Sequence, residues 1–483
     1  MADHGSLVEH AAYLPPHERF RPVRKASDVS PDHRIRDFVL AAVLFCFLTA
    51  CYIANGRYVG SGDCVPAMYL PIAMARGDGP WLDRFAAYLA GPDGRLPGYC
   101  EKSQGHVVSR YPVGPGLLLT PLVAPQVWLR DLTVPGWDGS AESCRQAARQ
   151  MAKNASAVMA SLSMVLLWLI LRSLFGDSAA LFGTLAAALG SGMWSTAAQA
   201  PWQHGPAVFC LCMVMVVLKF GTENRLAGLV AGFFAAMIVV CRTVDLPISA
   251  ALGLFVLRRK PGMRVGFLVS SSMVAIVWAT WNVYFFDHLT GGYAEIEKMH
   301  GWAHGIQGSW STPLPTGLAG TFLSPSHGLI VYCPWVLAVL AAPAVLKRIV
   351  DPNDRRLAAV LGFSLLPTTI ILAKYGCWWA GHCFGPRFWI DSTPVFAVFA
   401  AGLWSISCLS PGMMSTVLRA FLVVSLIWSA GLHAIAVATY PTSWHSVPTN
   451  VDRDHDRLWD FHDNEVTRGL REGPHPREWS SWF

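Results

Sequence analysis

The stretch FVLAAVLFCFLTACYIANG, residues Phe38–Gly56, contains no aspartate, glutamate, lysine or arginine. A segment of about 17 or more apolar residues is long enough to cross a bilayer as a helix. Further segments lack these charged residues in the same way, among them Asn154–Leu171, Gly266–Phe286, Gly328–Leu346, Leu357–Ala373, Ser392–Leu418 and Ala420–Val451. The pattern predicts an all-α polytopic membrane protein.

The composition of the whole chain agrees with this prediction. Of its 483 residues, 53% are hydrophobic and 14% are charged, whereas about 25% of the residues of a soluble domain are charged. The positive-inside rule places short basic loops in the cytosol, and here these are Lys219 with Arg225, Leu257–Arg264, Leu346–Arg356 and the basic N-terminal tail, residues 1–37. The formal charge of +6 therefore reflects membrane topology, and no nucleic-acid partner is expected.

Helices that alternate across the membrane from these loops are predicted at residues 225–241, 247–257, 265–286, 328–346, 357–373, 394–409 and 418–440. The segment Tyr111–Leu129 is apolar but contains four prolines, and counting it as a crossing breaks the alternation. We expect it to enter the membrane from the outer face, which gives about 11 to 13 transmembrane helices within residues 38–440. The predicted outer-face segments are about 57–153, 287–327 and 374–393, with a short tail, 441–483.

Polar and aromatic residues are concentrated in the outward-facing segments, most of them at a helix end beside a glycine or proline. Ionisable groups at membrane depth are costly unless they line a cavity or pair with one another. The sequence therefore predicts a polar cavity that opens outward. Its candidate residues are Asp63, Arg110, Tyr111, His204, Arg242, Tyr293, Glu295 and Arg387.

Four features occur together in this layout. Asp63 comes early in a long loop after the first helix, and Arg110-Tyr111-Pro112 lies near the end of that loop. A charged turn is followed by an Ala-rich helix in Arg172–Phe209, RSLFGDSAALFGTLAAALGSGMWSTAAQAPWQHGPAVF. A late loop that is rich in Trp and Gly and contains Pro-Arg lies at Trp378–Phe396, WWAGHCFGPRFWIDSTPVF. Over about residues 35 to 440 the layout resembles the GT-C glycosyltransferases, which include protein O-mannosyltransferases and aminoarabinose transferases. In that group a His-Pro-Pro element occupies the place of Arg-Tyr-Pro.

The resemblance implies transfer of one sugar from a polyprenyl-phosphate donor to an envelope glycan, lipid or protein. It also implies a multi-pass protein of a bacterial cytoplasmic membrane, surrounded by membrane lipids, with its active site outside. The chain lacks a Gly-rich phosphate loop, which argues against a soluble nucleotide-sugar donor. The alternative is a transporter or flippase of lipid-linked sugars, which predicts polar residues along the whole path through the membrane and often inverted repeats.

The resemblance assigns Asp63 the role of general base toward the acceptor hydroxyl, or of a metal ligand. A hydroxyl that attacks an anomeric carbon must lose its proton, and a positioned carboxylate can accept it. The alternative is that Asp63 caps the next helix, where PAMYLPIAMARG, Pro66–Gly77, predicts an amphipathic helix at the membrane surface. Members of the group often carry a second acidic residue beside the first, but here Cys64 follows Asp63. Because a divalent ion usually needs several oxygen ligands, we favour a metal-independent enzyme over one that holds a divalent ion. We expect no cofactor.

Arginine binds phosphate oxygens in pairs and stays charged, so Arg387, then Arg110, then Arg242 are the candidates for the donor phosphate. For Arg242 the alternative is pairing with Asp245, three residues later on the same helix face. His204, at a helix start beside a glycine, is either a site residue or a packed structural histidine.

Three tryptophans of the late loop, Trp378, Trp379 and Trp389, suit stacking on a sugar or prenyl chain, or an aromatic belt at the membrane surface. The tail from Pro441 is rich in charge and too short for a separate domain. We expect it to be solvated and to lie over the mouth of the cavity.

Overall fold

The computed structural model describes residues 31–138, 144–304, 308–409 and 411–477. Contacts divide the chain into two units, which are described separately: residues up to Leu44, and residues from Phe45 onward. Most of the predicted cytosolic tail, residues 1–37, lies outside the described residues, as do residues 478–483 of the predicted outer-face tail.

Helices make up nearly all the regular structure of the described residues. They are α1 (Pro31–Ile53), α2 (Val65–Ala75), α3 (Ala86–Leu89), α4 (Gly114–Thr133), α5 (Arg145–Phe175), α6 (Asp177–Leu189), α7 (His204–Phe220), α8 (Arg225–Cys241), α9 (Leu246–Val256), α10 (Pro261–Phe286), α11 (Tyr293–His304), α12 (Leu314–Leu323), α13 (Leu329–Tyr332), α14 (Ala342–Arg348), α15 (Pro352–Lys374), α16 (Thr393–Leu409), α17 (Met413–Thr439) and α18 (Glu465–Glu472). The first outer segment also holds an antiparallel hairpin, β1 (Cys100–Ser103) and β2 (His106–Ser109). Its turn residues, Gln104 and Gly105, have φ of 51° and 83°, as a two-residue hairpin turn requires.

Six helical segments of the described chain are long and apolar enough to cross a membrane: Ile35–Ile53, Arg145–Phe175, Pro261–Phe286, Pro352–Lys374, Arg387–Leu409 and Met413–Thr439. Along α10, six apolar side chains between Val265 and Val277 are each 47–67% exposed. A soluble protein rarely exposes an apolar surface of this extent, so α10 is suited to contact with lipid. The chain is an all-α, multi-pass membrane protein, as the sequence predicts.

The helix predicted over residues 328–346 is broken in the structure. It consists of α13, a 3₁₀ helix at Pro334–Ala341, and α14. Cys333 leaves the helical conformation, with φ −132° and ψ 59°, because a residue before proline is driven away from it. By contrast, the proline-rich segment that breaks the predicted alternation forms one helix, α4, although Pro121 and Pro125 lie within it.

The helix predicted directly after Asp63 forms as α2, but it is not amphipathic. Every residue from Pro66 to Ala73 is buried. It packs closely on α4, where a Cβ added to Gly116 would lie 2.8 Å from a side-chain atom of Leu70. The turn that carries Asp63 is therefore anchored by a buried helix rather than by a surface one.

Helices α8 and α10 approach each other closely through glycines. A Cβ on Gly228 would lie 2.2 Å from the carbonyl oxygen of Met263, and one on Gly232 would lie 2.3 Å from that of Phe267. Small residues four positions apart allow this packing between membrane helices. The contact fixes α8, whose C-terminal end is followed by Arg242.

Three of the basic segments predicted to share one face, those around Lys219, Arg259 and Asp354, lie together. Lys219 pairs with Asp354, and Arg259 lies 3.3 Å from Glu223. Helix α7 runs from this end, over 17 residues or about 25 Å, to His204 at the candidate site.

Candidate functional site

Asp63 lies in a 3₁₀ turn, Gly62–Cys64, between α1 and α2. Its Oδ1 accepts a hydrogen bond from the Ser61 hydroxyl, and the Cys64 sulfur lies 3.7 Å from the same oxygen. The residue preceding α2 is Cys64, and no side-chain bond caps that helix. The capping alternative is therefore wrong for this structure, and Asp63 Oδ2 faces another partner.

That partner is Arg387, 324 residues later in the chain. Arg387 Nη1 lies 3.0 Å from Asp63 Oδ2, and each side chain is 14% exposed. Nη2 donates to the carbonyl oxygen of Ala380 at 2.8 Å, and the guanidinium lies 4.7 Å from the centre of the Trp202 ring. The Nε–H is buried and makes no hydrogen bond to a described residue. The guanidinium therefore keeps one donor that an anion would satisfy.

Two tyrosines flank this ion pair. The rings of Tyr111 and Tyr293 meet edge to face with centres 6.3 Å apart, and both hydroxyls interact electrostatically with Asp63. Burial raises the pKa of both hydroxyls above the ordinary value, and the Asp63 charge adds to the effect. Both groups therefore stay protonated, and the Tyr293 hydroxyl donates to Gln203 Oε1 at 2.8 Å.

A narrow cavity of about 10 Å³ lies beside the tyrosines, with room for about one water molecule. Its lining includes Arg110 and Tyr111, together with Trp278 and Trp281 of the lipid-suited helix α10. The cavity thus combines hydrogen-bonding groups with aromatic surface at the edge of the ion-pair site.

A second group of charges is buried next to Arg387. Asp391, in the same 3₁₀ helix as Arg387, pairs with Arg242 and lies 2.9 Å from His204 Nδ1. Arg242 does not pair with Asp245 along a helix face, because its own backbone is extended, with φ −154° and ψ 105°. His204 and Arg242 therefore anchor the segment that carries Arg387.

Arg110 and Glu295 have partners of their own. Arg110 Nε lies 3.1 Å from Glu101 Oε2. Glu295, on α11, has a side chain that is 44% exposed, and it pairs with Lys298 at 2.5 Å. This bond lowers the pKa of the carboxyl below its ordinary value. Among the eight sequence candidates, the structure brings Asp63, Arg387, Tyr111 and Tyr293 together, with His204 and Arg242 adjoining them.

The three tryptophans of the late loop are buried, with Trp378 7%, Trp379 1% and Trp389 3% exposed. They are thus neither an open platform for a sugar nor an aromatic belt at the membrane surface. The aromatic ring that lies beside the ion pair is that of Trp202, which stacks on the Arg387 guanidinium.

The burial of two charged residues, Lys153 and Glu465, is difficult to recognise from the sequence. Lys153 is 0% exposed, and its Nζ donates to Gln199 Oε1, which also accepts from Asn55 Nδ2 at 2.8 Å. Its position one residue before an apolar run is the available signal. Glu465 is also 0% exposed, although its charged neighbours in the sequence give no hint of burial.

Among the described residues, no group of three or more His, Cys, Asp or Glu side chains is arranged to hold a metal ion.

No protein-family model matches this chain, and neither does any curated protein. The fold and the site define its class as a multi-pass, all-α membrane protein with a largely buried Asp63–Arg387 ion pair.

Proposed function

We propose that the chain is a membrane glycosyltransferase of the GT-C type, with about 11 to 13 crossings of a bacterial cytoplasmic membrane and an active site that faces outward. The observation that carries the proposal is the meeting of Asp63 and Arg387 at 3.0 Å. The resemblance gives the first the role of base, and arginine chemistry gives the second the role of phosphate ligand. They belong to loops far apart in sequence, and their proximity is what one site for both roles requires.

In the proposed reaction, the oxygen of an acceptor hydroxyl attacks the anomeric carbon of the donor sugar, and Asp63 accepts the hydroxyl proton. The bond between the anomeric carbon and the phosphate oxygen breaks, and its electron pair leaves with the polyprenyl phosphate. Arg387 binds the phosphate and stabilises the charge that it gains, as preorganised cations do in such steps. These groups are side chains of the chain itself, and no cofactor enters the step.

The resting ion pair has a consequence for this reaction. A donor phosphate would compete with Asp63 for Nη1 of Arg387 and would also find the unbonded Nε–H. Because the phosphate would replace Asp63 at the guanidinium, the carboxylate would become free to accept a proton. Donor binding would thereby prepare the base.

The lining of the cavity beside the tyrosines and α10 has the chemistry that a junction of a lipid and a sugar needs, and the cavity, of about 10 Å³, would have to widen to admit them. Trp278 and Trp281 offer apolar and stacking surface from a helix suited to lipid contact, and Tyr111 and Tyr293 offer hydroxyl groups. The acceptor, an envelope glycan, a lipid or a protein, would approach from outside.

Mass spectrometry of envelope glycans and glycolipids tests the proposal in cells with the gene, without it, and with Asp63→Asn. The expected result is loss of one hexose or pentose from a single product, both in the deletion and in the Asn variant. Identical glycan profiles in all three strains would contradict the proposal. Loss in the deletion with a normal profile in the Asn variant would favour a transporter of lipid-linked sugars.

A further inference from the structure

The C-terminal segment, defined here as residues 441–477, is part of the body of the protein rather than a solvated tail. Trp444, Val451 and Leu458 are each 0% exposed. They form one apolar cluster with Trp378 and Trp379 of the late loop. The segment is thus packed directly on the loop that leads to Arg387.

The cluster is accompanied by a buried carboxylate at the start of α18. Glu465 Oε2 accepts the backbone N–H of Gly385 at 2.8 Å, and Oε1 lies 2.9 Å from His445 Nε2. Gly385 has φ of 61°, and its carbonyl accepts the backbone N–H of Arg387 at 2.8 Å. A single residue, Gly385, therefore links Glu465 to Arg387.

Asp452 makes a second tie between the segment and the loop. It accepts from Trp379 Nε1 at 2.8 Å and lies 3.1 Å from His382 Nε2. Between these two residues is Ala380, whose φ of 67° is uncommon for a residue other than glycine. Its carbonyl accepts from Arg387 Nη2. An uncommon backbone conformation of this kind persists where the surrounding contacts hold it in place.

We propose that the C-terminal segment fixes the position of the Arg387 side chain, and that Glu465 is a positioning residue for the phosphate-binding guanidinium. The inference rests on the proposed function, because it takes Arg387 as the ligand of a polyprenyl phosphate. The two loop carbonyls that hold Arg387 belong to Gly385 and Ala380. Glu465 of the segment accepts the backbone N–H of Gly385, and Asp452 contacts Trp379 and His382, on either side of Ala380. Removing the Glu465 carboxylate leaves a buried N–H without its acceptor, which relaxes the loop.

The test measures binding of a polyprenyl phosphate to the purified full chain in detergent. Glu465→Ala should weaken binding about tenfold or more, whereas Glu465→Gln should bind nearly as wild type, because its amide oxygen can still accept from Gly385. The matched control is Glu472→Ala, at the other end of α18, where the carboxylate bonds to Ser443. It should leave affinity unchanged. If Glu465→Ala does not fold, Glu465→Asp keeps the charge, draws the carboxylate back by one methylene, and should also weaken binding.

Wild-type affinity in the folded Ala or Asp variant would overturn the inference. Equal losses in the Glu465 and Glu472 variants would overturn it as well, since a general loss of stability would then account for both. Absence of binding by the wild-type chain would instead remove the proposed function, and this inference with it.

Discussion

The Asp63–Arg387 ion pair predicts a measurable coupling between two residues 324 positions apart. At the 3.0 Å separation of the two atoms, and an effective dielectric constant of about 20, the gross attraction is about 5.5 kcal/mol. Desolvation offsets much of this, because each side chain is only 14% exposed. Coupling between contacting residues is usually about 0.5–3 kcal/mol, and burial places this pair in the upper part of that range, at about 1–3 kcal/mol.

A double-mutant cycle measures this coupling with Asp63→Asn, Arg387→Ala and the double variant. The free energy of unfolding of each would be obtained by reversible SDS denaturation in mixed micelles. The control cycle uses Asp93→Asn and Arg95→Ala, an ion pair of 3.6 Å whose side chains are 60% and 88% exposed. Such pairs give little or no coupling. A coupling at Asp63 and Arg387 no larger than in the control would refute the reasoning.

Three further predictions concern topology, packing and pH. A cysteine introduced at Glu295 should react with a membrane-impermeant maleimide added from outside, and one at Arg259 should not, because the basic loops are predicted to be cytosolic. Gly232→Ala should lower the free energy of unfolding by about 1–3 kcal/mol, since the new Cβ would lie 2.3 Å from a backbone oxygen. The pKa of His382 is raised, first by its bond to Asp452. The stabilisation from this pair is therefore complete below the ordinary histidine pKa of about 6.5 and lost as pH rises through the raised value, which a series of thermal melts would detect.

Each of the three has a matched control. An engineered Cys at Asp460, exposed in the C-terminal segment, should be labelled together with the one at Glu295; labelling at Arg259 from outside would overturn the layout. Gly431→Ala adds a Cβ that meets nothing within 4 Å, and an equal loss there would contradict the packing argument. Asp452→Asn should flatten the pH dependence, and an unchanged pH profile in that variant would assign the dependence to other groups.

The membrane helices could be predicted from the sequence because charge is absent from them and concentrated between them. Helix α8 spans Arg225–Cys241 as predicted. The break at Cys333 was harder to predict, because the segment around it is uniformly apolar. The destabilisation of a helix by Pro334 competes there with the stabilisation from burial. Apolarity alone also predicts nothing about which face of α2 is covered, and that helix is buried all round.

Of the eight residues predicted for the candidate site, six lie together in the structure, but the pairs that they form could not be predicted. Asp63 and Arg387 are distinctive in sequence, because each lies in a short polar motif between apolar runs. Arg242 illustrates the limit. The sequence offers Asp245 as a local partner, but the fold supplies Asp391, 149 residues later. The role of Glu465 in holding Gly385 depends wholly on tertiary packing, which no local pattern records.

The central claim, that Asp63 is the base of a sugar transfer, is tested most directly by the rate of transfer in Asp63→Asn. This variant keeps the shape and hydrogen-bonding capacity of the side chain but removes the proton acceptor. The purified variant should still bind a polyprenyl phosphate, while transfer of sugar to acceptor should fall by about 10²–10⁴, the contribution of general acid–base catalysis. Transfer at the wild-type rate by a folded Asp63→Asn protein would contradict the account and leave Asp63 as a turn residue that pairs with Arg387.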